Sequence, residues 1–334
     1  MTHAEVRDVR RADLLVGCMG LGGGWDAEPV TDEQVEQAGA VVEAALAAGL
    51  TWFDHADIYT RGKAEEAFGR ALAERPGLRE RIGLQSKCGI LLPGEGGVMC
   101  SGETHGRYDS SPEHVRRSLE GSLARLRTDH LDVLLVHRPD PLTHPGELGR
   151  TLDALVAEGL VRQVGVSNHS PAQVDRLQAG MSEPLVVNQL ETSLAARGWV
   201  ESGVLVNTDE GARVGFPHGA LEQALAGGPR VQGWGALAQG RYSGRASSAT
   251  DPLEAAREEQ TARRVAALAA EHGTTPESIV LAWLQRHPAR VAPVVGTTSP
   301  QRIAACADAA AGRVHLSRAE WYELWVTARG GPLP

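Results

Sequence analysis

The chain has 334 residues, with 42 acidic against 33 basic side chains and a formal charge of −9. Its basic residues are scattered, so it lacks the electrostatic footprint of a protein that holds nucleic acid or an anionic membrane. The four cysteines, Cys18, Cys88, Cys100 and Cys306, form no C-x-x-C pair and suggest neither a zinc knuckle nor a disulfide framework. The N-terminal stretch MTHAEVRDVRRADLLV has basic residues but no apolar run of signal-peptide length, and no later segment approaches the length of a membrane span, so a cytoplasmic protein with a small-molecule partner is expected.

The first predicted strand, Leu14 to Leu21, stops on a run of glycines. Gly22, Gly24 and Ala27 formally satisfy G-x-G-x-x-A, but Pro29 follows and the acid expected about 20 positions on is missing, so a Rossmann fingerprint is rejected. A helix begins near Thr31 and ends at Gly49. The next strand lies in TWFDHADIY and ends at Phe53, which puts Asp54 at its carboxyl end and lets Tyr59 return over the same rim. A helix from Lys63 to Glu74 leads to a strand from Arg81 to Cys88. Lys87 sits near the end of that strand, and a buried ammonium there requires an acidic partner. Residues 89–110 are glycine-rich and aperiodic, which reads as a binding loop.

Ser111, Pro112 and Glu113 open a helix with Val115, Leu119, Leu123 and Leu126 along one stripe. Leu131 to His137 is a buried parallel strand that delivers His137 to its end. A helix (Leu148 to Glu158), a strand (Val161 to Ser167), a helix (Pro171 to Gln178) and a strand (Leu185 to Leu190) follow. Residues 193–219 break the rhythm as a second long loop. Then come a short helix (Leu221 to Ala226), a strand (Val231 to Leu237), two helices (Leu253 to His272 and Pro276 to His287), a strand (Val291 to Gly296), a helix (Pro300 to Ala311) and a last one after Ser317. Eight strands alternating with eight helices, with no linker between halves, predict one (β/α)8 TIM barrel domain over residues 1–334.

In such a barrel Asp54, Tyr59, Lys87 and His137 stand at neighbouring strand ends. A tyrosine is a poor acid at neutral pH, but a nearby ammonium favours its phenolate, so Lys87 is expected to lower its pKa and Asp54 to keep Lys87 protonated. His137 is placed to hydrogen-bond a carbonyl or to share the tyrosine's proton. Taken singly, Ser167 and Asn168 read as a helix cap, Gln189 as a buried amide, Trp234 as core and Arg302 as a solvated helix residue. His55, His105, His114, His144, His169 and His218 have no ligand spacing and read as surface or cap residues, not as a metal site.

FDHADIY, the QSKCG strand, LLVHRPDP and VGVSN, in that order, resemble the aldo-keto reductase superfamily. DHADIY, SKCGI and HRPDP are especially similar to a bacterial branch typified by the YdhF oxidoreductase. The resemblance implies a metal-independent NAD(P)H-dependent reductase of aldehydes or ketones, monomeric or a small homo-oligomer, with Tyr59 as general acid, Lys87 and Asp54 tuning it and His137 orienting the carbonyl. It further implies that Ser167, Asn168 and Gln189 bind the carboxamide of the cofactor and that Trp234 stacks on its nicotinamide. Gly235, Leu237, Gly240 and Arg241 would line the pyrophosphate, with Gly20 a further cofactor contact. At the adenosine end VVGTTSPQRIAAC departs from the family pattern: Arg302 keeps the arginine, Thr297 or Thr298 replaces a serine, and Gly296 stands where a lysine is usual. NADPH is favoured and NADH admitted. Two other readings stand beside this one: a non-catalytic NADPH-binding subunit or redox sensor, and an aldolase using Lys87 as a Schiff-base nucleophile. Substrate contacts are expected from Trp25 and from Met99, Tyr108, Trp199 and Phe216 on the two long loops, which suits a partly apolar sugar-derived or natural-product ketone.

Overall fold

The computed structural model describes residues 8–94, 98–100 and 103–334. Twelve strands occur among them: β1 (Leu15–Gly17), β2 (Trp52–Asp54), β3 (Gly83–Cys88), β4 (Ile90–Leu91), β5 (Val98–Cys100), β6 (Glu103–His105), β7 (Arg107–Tyr108), β8 (Leu131–Val136), β9 (Val161–Ser167), β10 (Leu185–Glu191), β11 (Arg230–Trp234) and β12 (Ala292–Val295). Eight of them form a closed barrel in the order β1-β12-β11-β10-β9-β8-β3-β2. β3 and β8 are buried at every residue, which is why such strands read as plain apolar runs with no alternation.

The helices are α1 (Asp32–Ala47), α2 (Lys63–Ala73), α3 (Pro112–Leu126), α4 (Pro145–Ala157), α5 (Pro171–Gln178), α6 (Gly198–Val204), α7 (Ala220–Leu225), α8 (Pro252–Glu271), α9 (Pro276–Gln285), α10 (Pro300–Ala304), α11 (Ala307–Ala310) and α12 (Arg318–Arg329). Their starts have a local cause. Ser111, Ser170, Asp251, Thr275 and Ser299 each cap a helix whose next residue is proline. The hydroxyl or carboxylate accepts an otherwise orphaned N–H, and proline presets φ at a position that needs no donor; such a cap is worth about 1 kcal/mol.

Backbone contacts group the chain into two compact units. The first holds the described part of Met1–Ala12, then Gly17–Val42 and Thr51–Gln189; the second holds Asp13–Val16, Glu43–Leu50 and Leu190–Pro334. In the first, β2, β3, β8 and β9 pair in parallel register, with Asp54 opposite Gln85, Lys87 opposite Leu135 and Leu135 opposite Gly165. In the second, β12 pairs with β11 and β1.

Four expectations change. The described residues of the aperiodic stretch 89–110 include regular pairing: β4 pairs antiparallel with β7, and β5 with β6. Within 193–219, residues 198–204 form α6, which buries Trp199 and Val200. The single helix expected over 300–311 divides at Ala305 and Cys306, where the hydroxyls of Thr275, the cap of α9, and of Ser278 within it both donate to the Ala305 carbonyl. α4 also starts ahead of Leu148, where His144 Nδ1 accepts the Gly146 N–H and Pro145 follows. No described helix is long and apolar enough to cross a membrane.

Candidate active site

The first unit brings Asp54, Tyr59, Lys87 and His137 to the carboxyl ends of β2, β3 and β8. Asp54 closes β2 and Lys87 lies on β3, and their side chains meet at 2.7 Å with 3% and 1% exposure. Lys87 Nζ also donates to the His55 carbonyl at 2.8 Å and to the Tyr59 hydroxyl at 2.9 Å. An ammonium has no lone pair, so the phenol oxygen must be the acceptor and its own proton is left to be given elsewhere. Asp54 takes two further donors at Oδ1, Gln85 Nε2 at 2.6 Å and Gln189 Nε2 at 3.1 Å.

Electrostatics correct one expectation. Burial opposes charge on Lys87, but the adjacent Asp54 and the Tyr59 hydroxyl outweigh it and raise the ammonium's pKa above its ordinary value. For Tyr59 burial is the largest influence and raises the phenol above 10, with Lys87 working in the lowering direction and Asp54 against it. The expected lowering by Lys87 is therefore present but outweighed, because desolvation of a phenolate costs more here than one cation already shared with a carboxylate returns. His137 is pushed well below 6.5, first by burial and then by Lys87 and Arg138. Its ring stands 6.2 Å from that of Tyr59 at 79°, and its buried Nδ1 has no hydrogen-bond partner.

The turn that carries Tyr59 is strained. Thr60, Arg61 and Gly62 follow one another in the left-handed region at φ 47°, 60° and 84°, unusual for a β-branched threonine. Thr60 Oγ1 donates to the Leu21 carbonyl at 3.0 Å. Gly22 explains the fit: a Cβ there would lie 2.4 Å from the Lys63 carbonyl carbon. Non-glycine residues in such conformations persist where surrounding structure holds them, commonly at functional sites.

Around the quartet, Ser167 Oγ donates to the Gln189 carbonyl at 2.9 Å, and Asn168 Nδ2 donates to Ser167 Oγ at 2.8 Å and to the His137 carbonyl at 3.3 Å. Asn168 is itself left-handed at φ 60°. Gly20 lies exposed in the turn after β1.

In the second unit, Trp234 ends β11 half-buried, and the chain beyond it turns left-handed at Gly235, Ala238, Gln239 and Gly240, with φ of 71°, 47°, 58° and 82°. Leu237 precedes the last three, and Arg241 is paired at 2.8 Å with the buried Glu258. Gly296 is exposed, with nothing within 4 Å of where a Cβ would stand. Thr297 Oγ1 accepts the Ser299 N–H at 3.2 Å, Thr298 is half-buried, and Arg302 is exposed on α10. Successive left-handed residues of this kind form concavities that suit anionic groups.

Of the substrate candidates, Trp25 and Tyr108 are 49% and 45% exposed and Phe216 is half-buried; the Met99 side chain lies outside the described residues. Trp199 does not offer its ring to a ligand. It is fully buried, packs edge-on to Trp283 at 5.1 Å, and donates its indole N–H to the Ser193 carbonyl.

Sequence reasoning missed Gln85, although its place two residues before Lys87 puts both on one face of β3. It also put His55 and His169 on the surface or at caps. Both are buried, His55 edge-on to Phe68 at 4.7 Å. Among the described residues no group of three or more His, Cys, Asp or Glu is placed to hold a metal ion.

The model of the Aldo/keto reductase family matches residues 13–324. A protein of Agrobacterium fabrum named 6-dehydroglucose reductase is 38% identical over 308 residues, covering 92% of this chain and 93% of the relative. The oxidoreductase YdhF of Escherichia coli is 34% identical over 88% of each chain. Among solved structures, an aldo/keto reductase from Klebsiella pneumoniae in complex with NADP and acetate superposes with a TM-score of 0.68 at 26% identity, covering 96% of this chain and 93% of that one.

Proposed function

The chain belongs to the aldo/keto reductase family, and we propose that it is an NADPH-dependent reductase of an aldehyde group in which Tyr59 gives the proton to the carbonyl oxygen. The observation that carries this reading is the line from the buried Asp54–Lys87 pair to the half-buried Tyr59, with contacts of 2.7 Å and 2.9 Å.

A bound NADPH supplies the hydride. The chain's own residues hold the carbonyl and manage the proton. Tyr59 transfers its proton to the oxygen as negative charge develops there, and the phenolate left behind stays beside the Lys87 ammonium, which Asp54 holds in its charged form. His137 is neutral at physiological pH. A buried unpaired N–H is rarer than a buried unpaired acceptor, so its proton belongs on Nε2, the nitrogen able to donate to the carbonyl oxygen. Lys87 is unsuited to Schiff-base chemistry, because its ammonium makes three hydrogen bonds and is stabilised by Asp54.

Ser167, Asn168 and Gln189 would hold the carboxamide and Trp234 would stack on the nicotinamide. Gly235, Leu237, Gly240 and Arg241, with Gly20, would line the pyrophosphate; the left-handed run at 238–240 supports this role. Arg302 would take the 2′-phosphate through its fork of donors, with Thr297 and Thr298 beside it. Gly296 offers no second cation, which leaves room for NADH. The name of the Agrobacterium relative points to a carbohydrate aldehyde, the oxidised terminal carbon of a hexose, as the substrate class.

The test is a titration with NADPH and NADH followed by tryptophan fluorescence, then reduction of carbohydrate aldehydes by the wild type and Tyr59→Phe. The expected result is tight NADPH binding by both proteins and a rate loss in Tyr59→Phe of about a hundredfold or more. Full reduction by Tyr59→Phe would refute the role of the phenol, and absence of binding by either nucleotide would refute the oxidoreductase reading.

A further inference from the structure

Asp57 stands two residues before Tyr59 and takes no part in the chemistry above. Its N–H donates to the Lys87 carbonyl at 3.0 Å, and the Tyr59 N–H closes on the Ala56 carbonyl at 3.1 Å. The Asp57 peptide thus ties the turn that carries the phenol to the strand residue that carries the ammonium. Its side chain lines a separate cavity of about 250 Å³ together with Arg61, His114, Arg117, Ser118 and Arg125.

The hydrogen bonds into that cavity run one way. A guanidinium can only donate, so Arg117, 3.2 Å from His114 Nδ1, makes that nitrogen the acceptor and leaves the ring proton on Nε2. Nε2 then donates to Ser118 Oγ at 3.2 Å, and Ser118, on the wall of the same cavity, draws the Asp57 carboxyl toward its charged form. The carboxyl oxygen Oδ1 of Asp57 is buried with no hydrogen-bond partner. Nearby, the buried Glu65 takes Ser86 Oγ at 2.6 Å and Arg125 Nε at 2.8 Å, and Ser86 directly precedes Lys87.

We propose that Asp57 is a positioning residue for the Tyr59–Lys87 pair: its side chain, held by the Arg117–His114–Ser118 relay, fixes the peptide that joins the tyrosine's turn to Lys87. This inference rests on the catalytic reading of Tyr59 and adds to it a control by proton uptake. The charged and titratable groups around the carboxyl are Glu65 and Arg61 on the α2 side, His114, Arg117 and Arg125 on α3, and Cys88 on β3. Burial, and then the Glu65 carboxylate, push Asp57 up to about 7, against the opposing pull of Arg125 and Ser118. The neutral acid leaves Arg125 with Glu65. Once ionised, Asp57 competes for that arginine, and the turn and Ser86 are loosened together.

The experiment uses the full chain with its tyrosines labelled with carbon-13 at the hydroxyl-bearing carbon. The chain has four tyrosines, and the Tyr59 signal is the one lost in Tyr59→Phe. In the wild type this signal is expected to move with a midpoint near neutral pH, and kcat for aldehyde reduction to fall through the same range. In Asp57→Asn both effects should vanish while kcat on the acid side stays within about twofold. Asp57→Ala should lower kcat about tenfold at all pH values with the KM for NADPH unchanged. A Tyr59 signal with the same midpoint in Asp57→Asn, or with none in the wild type, overturns the proposal, as does Asp57→Asn losing as much rate as Asp57→Ala. If the wild type reduces no aldehyde, the catalytic reading fails by itself, and the signal still decides whether Asp57 governs the surroundings of Tyr59.

Discussion

Replacing Lys87 by methionine tests the centre of the site, because it keeps the length of the side chain and removes its charge. The pair it breaks has a 2.7 Å contact with both partners almost wholly enclosed. Breaking a buried ion pair by removing one partner costs about 3–5 kcal/mol, since the other charge is left without compensation. Here Gln85 and Gln189 still donate to Asp54, which argues for the lower end, about 3 kcal/mol. For 334 residues an unfolding entropy of about 2.1 cal/mol/K per residue converts this to a fall in Tm of about 4 °C. The catalytic loss is larger. Without the ammonium the phenolate formed by proton transfer has no countercharge in an enclosed setting, and the hydride-transfer step should slow by about a hundredfold to ten-thousandfold. Thermal melting and single-turnover oxidation of NADPH at saturating aldehyde measure the two effects separately. A Tm unchanged within a degree together with a rate within about fivefold of wild type would refute the argument that Lys87 is both the counterion of Asp54 and the support of Tyr59.

Acid stability offers a second check. His55 is held to about 3, chiefly by burial and then by the Lys87 charge, and His169 to about 4, by burial against a bond to the Ser167 carbonyl. Both folded values lie below the unfolded one, so the stability they permit is complete above about pH 6.5 and is lost as pH falls through that value, with His55 costing about 3 kcal/mol at pH 4. His55→Phe, which leaves the backbone carbonyl available to Lys87 and removes two unpartnered ring nitrogens, is expected to flatten the loss between pH 6.5 and 4 measured by urea unfolding; an unchanged slope would count against the assignment. At the adenosine end, Arg302→Ala should weaken NADPH about tenfold or more while leaving NADH within about twofold, because no cation at position 296 shares the load. Fluorescence titration reads this directly, and equal losses for both nucleotides would show that Arg302 does not discriminate between them.

Much of the architecture was legible in the sequence because its causes are local. A parallel strand covered on both faces shows as an uninterrupted apolar run, as in LDVLLV of β8, and a cap followed by proline marks a helix start whatever the rest of the chain does, as at Ser111 and Pro112. The two long connections were opaque for the opposite reason. Ile90 pairs with Tyr108 across 18 positions, and α6 opens on Gly198, a poor helix former, and is held by the burial of Trp199; neither feature leaves a periodic trace.

The same division runs through the site. Asp54, Tyr59, Lys87 and His137 could be grouped in one place from the sequence because each ends or follows a strand, and strand ends converge in a parallel barrel. Tertiary structure alone decided how these groups are charged. A neighbouring cation suggested a lowered phenol, but the sign depends on how much water the fold removes from Tyr59 and on how far Asp54 already neutralises Lys87. The pairing of Gln85 and Gln189 with one carboxylate oxygen, the enclosure of His55 and the raised carboxyl of Asp57 likewise arise from residues distant in the chain. Charge state is a sum over three-dimensional surroundings, whereas strand and helix boundaries are written within a few neighbouring residues.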